Sequence, residues 1–119
     1  MSKEKKNINK NNFFLDSIID ILLIQKSTNI KVFDLKDNNY ADIAILCNSN
    51  SKAQMNASVR KLHLLAKENN KKFNSEGLNS TWVLIEFGSV TIHFFTEEAR
   101  EYYNLEDLYF DSNLVNQYG

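Results

Sequence analysis

At 119 residues and 43% hydrophobic content, the chain is long enough for one compact domain and too short for two of ordinary size. A formal net charge of -1 and a sequence pI of about 6.1 exclude the strong positive field that non-specific nucleic-acid binding needs, so any RNA contact has to be local. The single cysteine, Cys47, excludes an internal disulfide and a thiolate-rich metal site, and it fits a reducing compartment.

Residues 1–11 are polar and aperiodic, which predicts a disordered tail. They lack the apolar stretch of a secretory signal and the Arg/Ser bias of a transit peptide, so a cytoplasmic location is expected. With Asn12 as N-cap, residues 13–26 read as a helix in which Phe14, Ile18, Ile21 and Leu22 form the buried stripe and Leu15, Ile19 and Leu23 thicken it. Asp16, Ser17 and Asp20 interrupt this run, which is too short and too polar to span a bilayer. Residues 30–35 read as a strand and 36–39 as a turn. The near-continuous apolar run 41–47 predicts a central strand covered on both faces, with Cys47 as a buried thiol.

Residues 48–51 form a polar loop with several capping side chains. The helix expected over 52–69 turns Met55, Val59, Leu62, Leu65 and Ala66 inward and leaves Lys52, Arg60, Lys61 and Lys67 on a solvated basic face. A short edge strand is expected at 71–74, then a loop over 75–81.

Residues 82–95 are the most informative stretch: two strands around Gly88-Ser89, a pair suited to a II′ turn with Gly at the positive-φ position. A two-residue loop pairs Phe87 with Val90, Ile85 with Ile92 and Val83 with Phe94 on a core face. Trp82, Leu84, Glu86, Thr91, His93 and Phe95 then share the other side. This mixture of aromatic, acid and imidazole has two readings, a surface that meets a partner or a second face covered by a helix. Thr96 caps a helix over 97–103 with Glu97 and Glu98 in its first turn. Residues 105–109 add one helical turn and 112–119 are expected to fray. One domain over 12–111 follows. The order α-β-β-α-β-β-β-α predicts an α/β domain with a mixed five-stranded sheet flanked by helices.

The chain is poor in catalytic constellations. His63 and His93 lie on separate elements without a metal-pair spacing, and the three glycines, Gly77, Gly88 and Gly119, form no phosphate-binding loop. No cofactor or metal is expected. Two-metal nucleotide transfer requires neighbouring strand carboxylates, whereas Asp42 stands alone unless its strand adjoins that of Glu86. His93 sits diagonal to Glu86 and within reach of its carboxylate. In the last third, Glu86, Glu97, Glu98, Glu101, Glu106, Asp107 and Asp111 are opposed only by Arg100 and interleaved with Trp82, Tyr102, Tyr103 and Tyr109. Such a surface suits a basic protein partner, aromatics anchoring and charges steering; the plainer reading is that Tyr102, Leu105 and Leu108 dock the last helix on the sheet.

Glu76-Gly77, the 82–86 strand with its terminal acid, Gly88, the His93 strand and the run 100–108 resemble the ribosomal silencing factor family, also called Iojap-like proteins. Asp34-Leu35 and 41–43 fit that family's first strands, so the resemblance covers about residues 13–111. It implies a nucleotidyltransferase-like topology and a non-enzymatic translational repressor. Such a protein binds the large ribosomal subunit through its ribosomal protein fourteen, blocks association with the small subunit and forms a homodimer in isolation; the basic helix face over 52–67 is the candidate for a minor ribosomal RNA contact. A large-subunit assembly factor using the same contact, a general protein-interaction module and a vestigial nucleotidyltransferase are the alternatives. The partner-binding residues the resemblance and the residue pattern single out are Trp82, Glu86, His93, Arg100, Tyr103, Glu106, Asp107 and Tyr109. The loop 47–52 departs from the family's glycine-containing Thr/Ser-rich pattern, so it receives no role.

Overall fold

A computed structural model describes residues 3–35, 42–108 and 113–119, with side chains from Phe14 onward apart from 113, 115 and 116. In chain order its elements are α1 (Lys3–Ile24), β1 (Thr28–Asp34), β2 (Ile43–Asn48), α2 (Lys52–Glu68), β3 (Phe73–Glu76), β4 (Trp82–Phe87), β5 (Val90–Phe95), α3 (Glu97–Tyr103), a 3-10 turn (Leu105–Asp107) and β6 (Asn113–Tyr118). The strands form one sheet in the order β3-β4-β5-β2-β1-β6, antiparallel throughout except for the parallel pair β2 and β5.

The hairpin register is the predicted one: Phe87 faces Val90, Ile85 faces Ile92 and Val83 faces Phe94. Gly88 alone of the turn pair has a positive φ, 58°, as a II′ turn requires. Every residue of β2 is buried, so this strand is covered on both faces. On one face α1 and α2 pack Ile18, Leu22, Met55 and Leu62 against Ile45, Ile85, Ile92 and Phe94. On the other, a smaller cluster of Phe33, Ala44, Leu46, Phe95 and Ala99 has Trp82 and Leu105 at its margin. The basic side chains Lys52, Arg60, Lys61 and Lys67 of α2 are exposed.

Two expectations are corrected. First, α1 begins at Lys3, inside the stretch read as a disordered tail, and not at an Asn12 cap. Helix nucleation costs far more than propagation, so an apolar segment docked on the sheet carries polar turns along with it. Second, residues 113–118, inside the stretch expected to fray, form a sixth strand on β1, with Ile30 opposite Tyr118 and Asp34 opposite Asn113. Main-chain hydrogen bonds drive that pairing, and the polar sequence Asn113-Leu114-Val115-Asn116-Gln117-Tyr118 does not advertise them. The expected turn at 36–39, together with Tyr109 and Asp111, lies outside the described residues.

The loop before β4 positions Trp82 tightly. Ser80 Oγ accepts the Trp82 N–H at 3.2 Å and lies 2.6 Å from the Gly77 carbonyl oxygen and 2.9 Å from that of Trp82, either of which takes its proton. Gly77 has φ +79°, and a Cβ there would lie 2.5 Å from the Trp82 carbonyl oxygen. Gly77→Ala is therefore expected to cost on the order of 1–3 kcal/mol and to change the fluorescence of the chain's one tryptophan. Urea unfolding checks this, and an unchanged midpoint contradicts it.

Candidate protein-binding surface

Thr96 directly follows β5 and caps α3, its hydroxyl accepting the Ala99 N–H at 3.1 Å. The short helix then turns Ala99 and Arg100 inward and leaves Glu97, Glu98, Glu101, Tyr102 and Tyr103 exposed. Asn104 closes it in the left-handed conformation, φ 46°, its N–H bonded to the Arg100 carbonyl at 3.0 Å. An unbranched polar residue tolerates that φ, and the reversal brings the 3-10 turn back under α3.

Arg100 is only 5% exposed. Its Nη1 donates to the Asn29 carbonyl at 2.9 Å and to Asn48 Oδ1 at 2.8 Å; Nη2 donates to Glu106 Oε2 at 3.0 Å, and Nε reaches both Glu106 oxygens at 3.2 and 3.3 Å. Lys31 Nζ adds an ion pair to Glu106 at 3.2 Å. Partial burial works to raise the Glu106 carboxyl, but the hydrogen bonds and charges of Arg100 and Lys31 outweigh it and hold the group below the usual carboxylate range. This network floors an open polar groove of about 450 Å³ rimmed by Glu97, Glu101 and Asn104.

Beside it runs a continuous series of aromatic rings. Tyr102 meets Tyr103 edge-on at 5.0 Å, Tyr103 lies 4.8 Å from Trp82, and Trp82 stacks on the buried Phe95 at 5.2 Å. The Trp82 indole N–H donates to His93 Nδ1 at 3.1 Å. His93 is buried, which pushes its imidazole down to about 4, so the ring is neutral at neutral pH and its proton sits on Nε2.

The residues singled out from sequence thus divide. Trp82 is half-buried, while Glu86, Tyr103 and Asp107 are exposed. His93 and Arg100 are buried, and Glu106 is engaged by two cations, so these three shape the surface from beneath. Glu86 accepts Asn74 Nδ2 at 3.3 Å on the neighbouring strand, and Asp107 accepts Asn104 Nδ2 at 2.9 Å. Tyr109 lies outside the described residues. Of the three side chains read as docking the last helix, only Leu105 does so; Tyr102 is 82% and Leu108 69% exposed. The sequence reading also missed Asn29 and Asn48 as partners of Arg100, which lie 71 and 52 positions from it along the chain, and Lys31 as a partner of Glu106, 75 positions away. Asp42 immediately precedes β2, which β5 separates from the β4 strand of Glu86, so the two are not on neighbouring strands as a two-metal pair requires. No group of three His, Cys, Asp or Glu side chains suited to a metal occurs among the described residues, and Cys47 is buried with its thiol pushed up to about 12, chiefly by that burial.

The His93 and Glu106 shifts act with one sign. Both groups have folded values below their ordinary ones, so the unfolded chain binds more protons in acid and stability falls with pH. The His93 contribution is fully present above its ordinary value of 6.5 and is lost as pH falls through about 4, on the order of 3 kcal/mol by that point. Urea midpoints measured from pH 7 to 4 are expected to decline, and His93→Phe is expected to flatten the decline above pH 4. A parallel decline in that variant contradicts the assignment.

No helix among the described residues is long and apolar enough to cross a membrane. Among known proteins, the Bacillus subtilis ribosomal silencing factor RsfS is 37% identical over 78 residues, spanning 64% of this chain and 66% of the relative. The Halalkalibacterium halodurans ribosomal silencing factor RsfS is 37% identical over 81 residues, 66% of this chain and 69% of the relative. The chloroplastic Iojap protein of Arabidopsis thaliana is 35% identical over 86 residues, 71% of this chain but 36% of that longer protein. A solved structure from Bacillus halodurans superposes with a TM-score of 0.72 at 29% identity, covering 82% of this chain and 93% of the other. The family described as "Ribosomal silencing factor during starvation" matches residues 9–118. The chain belongs to the ribosomal silencing factor family.

Proposed function

We propose that this protein is a non-enzymatic translational repressor of the cytoplasm that binds the large ribosomal subunit through a basic protein, ribosomal protein fourteen, and blocks the small subunit by occupying its place. Family membership supports the ribosomal setting. The observation that carries the mode of action is the exposed acid and aromatic surface of β4 and α3: Glu86, Glu97, Glu98 and Glu101 around Trp82, Tyr102 and Tyr103. A partner of opposite charge is steered to such a surface, and its affinity comes from aromatic rings buried on contact. Of the residues named from sequence, Trp82, Glu86, Tyr103 and Asp107 are proposed as direct contacts, with Tyr109 following in the chain. Arg100, Glu106 and His93 are proposed to hold them in place. The exposed basic face of α2 suits a minor contact with ribosomal RNA.

Added to large subunits before small ones, the protein is expected to reduce the yield of joined ribosomes in a sucrose gradient and to migrate with free large subunits. Unchanged joining at saturating protein contradicts the proposal. Trp82→Ala is expected to speed dissociation, at about 2 kcal/mol or more. Glu86→Lys and Glu101→Lys should chiefly slow association and flatten the salt dependence, because exposed charges are screened over about 8 Å at physiological ionic strength.

A homodimer in isolation is part of this reading. Leu23 and Ile24, in the last turn of α1, are 44% and 69% exposed, an apolar pair that an interface would cover. Light scattering should give twice the chain mass of 13.8 kDa, and Ile24→Glu should lower it. A monomer mass at high concentration removes the claim.

A further inference from the structure

We propose that His93 is a positioning residue for Trp82: its Nδ1 holds the indole in one of two otherwise comparable orientations, so that the face shared with Tyr103 is presented pre-formed to the basic partner. The binding consequence rests on the proposed function; the positioning itself does not.

Trp82 and His93 form a diagonal cross-strand pair, since Trp82 lies opposite Phe95 and His93 opposite Leu84. Aromatic and other long side chains span such a diagonal, and the indole N–H does so, reaching Nδ1 at 3.1 Å. Ring stacking alone does not choose the orientation. Phe95 lies nearly parallel to Trp82, at 28°, and a stacked phenyl face accepts either side of an indole. The hydrogen bond is directional and separates the two: turning the ring over takes the N–H away from Nδ1 and leaves a half-buried donor facing apolar neighbours.

His93 is itself held. Its ring lies 6.2 Å from that of Phe95 at an interplanar angle of 11°, within a strand paired on both sides. Burial keeps the imidazole neutral, so the Nδ1 lone pair is available for acceptance across the physiological range. Being 6% exposed, His93 has almost no surface to offer a partner and acts through Trp82. An anchor fixed before contact loses less entropy on binding, so its loss should appear in the dissociation rate.

The wild-type protein gives the direct readout. With nitrogen-15 label, the Trp82 Nε1 and His93 Nδ1 nuclei should show a coupling across the N–H···N bond, and the indole proton should exchange slowly with water. His93→Phe keeps an aromatic ring and removes the acceptor, whereas His93→Gln restores an acceptor without a ring. Indole exchange and dissociation from large subunits are both expected to quicken roughly three- to ten-fold in His93→Phe, the range one hydrogen bond supports, with partial recovery in His93→Gln and little change in association. No coupling together with fast exchange in the wild type overturns the proposal, even if His93→Phe fails to fold. Faster exchange with unchanged dissociation, in a wild type that binds large subunits, overturns its role in presenting the surface. A wild type that fails to bind large subunits overturns the proposed function instead, while the coupling and exchange still decide whether His93 positions Trp82.

Discussion

A guanidinium withdrawn from water is tolerable only when its donors are satisfied and its charge is met, and Arg100 places that demand at the point where four elements of the chain converge. The Asn29 carbonyl comes from β1, Asn48 from the end of β2, Glu106 from the 3-10 turn, and Lys31 reaches Glu106 from β1, while Arg100 itself comes from α3. Removing any one partner leaves a buried charge short of compensation, so the cost falls on all of them together. The consequence is geometric. A seven-residue helix, too short to be stable alone, is fixed over the sheet end by a side chain pointing into the protein. Tyr102 and Tyr103 thereby acquire a set place beside Trp82.

The sheet then separates two kinds of surface. One face is covered by α1 and α2, whose outer side carries Lys52, Arg60, Lys61 and Lys67. At the other face, the α3 cover is acidic and aromatic and leaves Glu86 open. A net charge of -1 therefore conceals a strongly divided molecule, and a divided molecule approaches a charged assembly in a preferred orientation. The Trp82 side of the hairpin is covered in part and open in part. Phe95 and His93 are covered as a second core would be, while Trp82 and Glu86 reach the surface.

Elements whose side chains report their own burial were legible in the sequence. The alternation in β4 and β5 gave their register, the unbroken apolar run of β2 gave its central place, and Met55, Val59, Leu62 and Ala66 gave the inward face of α2. The strand β6 was not legible, because its reward is main-chain pairing with an open edge. Neither was the true place of Arg100. Charged residues are rarely buried unless paired, and two of its partners, Asn29 and Asn48, are distant in sequence, so a surface role was the natural expectation. The same limit affected His93, whose diagonal neighbours include both Glu86 and Trp82; the neutral ring and the indole bond are properties of burial, which a strand pattern does not reveal.

The central claim is that the acidic, aromatic face of β4 and α3 is what meets the large ribosomal subunit. Side-chain footprinting by hydroxyl radicals, with and without purified large subunits, tests it directly, since Trp82, Tyr102 and Tyr103 are reactive aromatic rings and α2 supplies an internal comparison in Leu64 and His63. The account predicts protection of Trp82, Tyr102 and Tyr103, with Leu64 and His63 labelled nearly as in the free protein. Protection confined to α2, with the three rings of β4 and α3 unchanged, contradicts it.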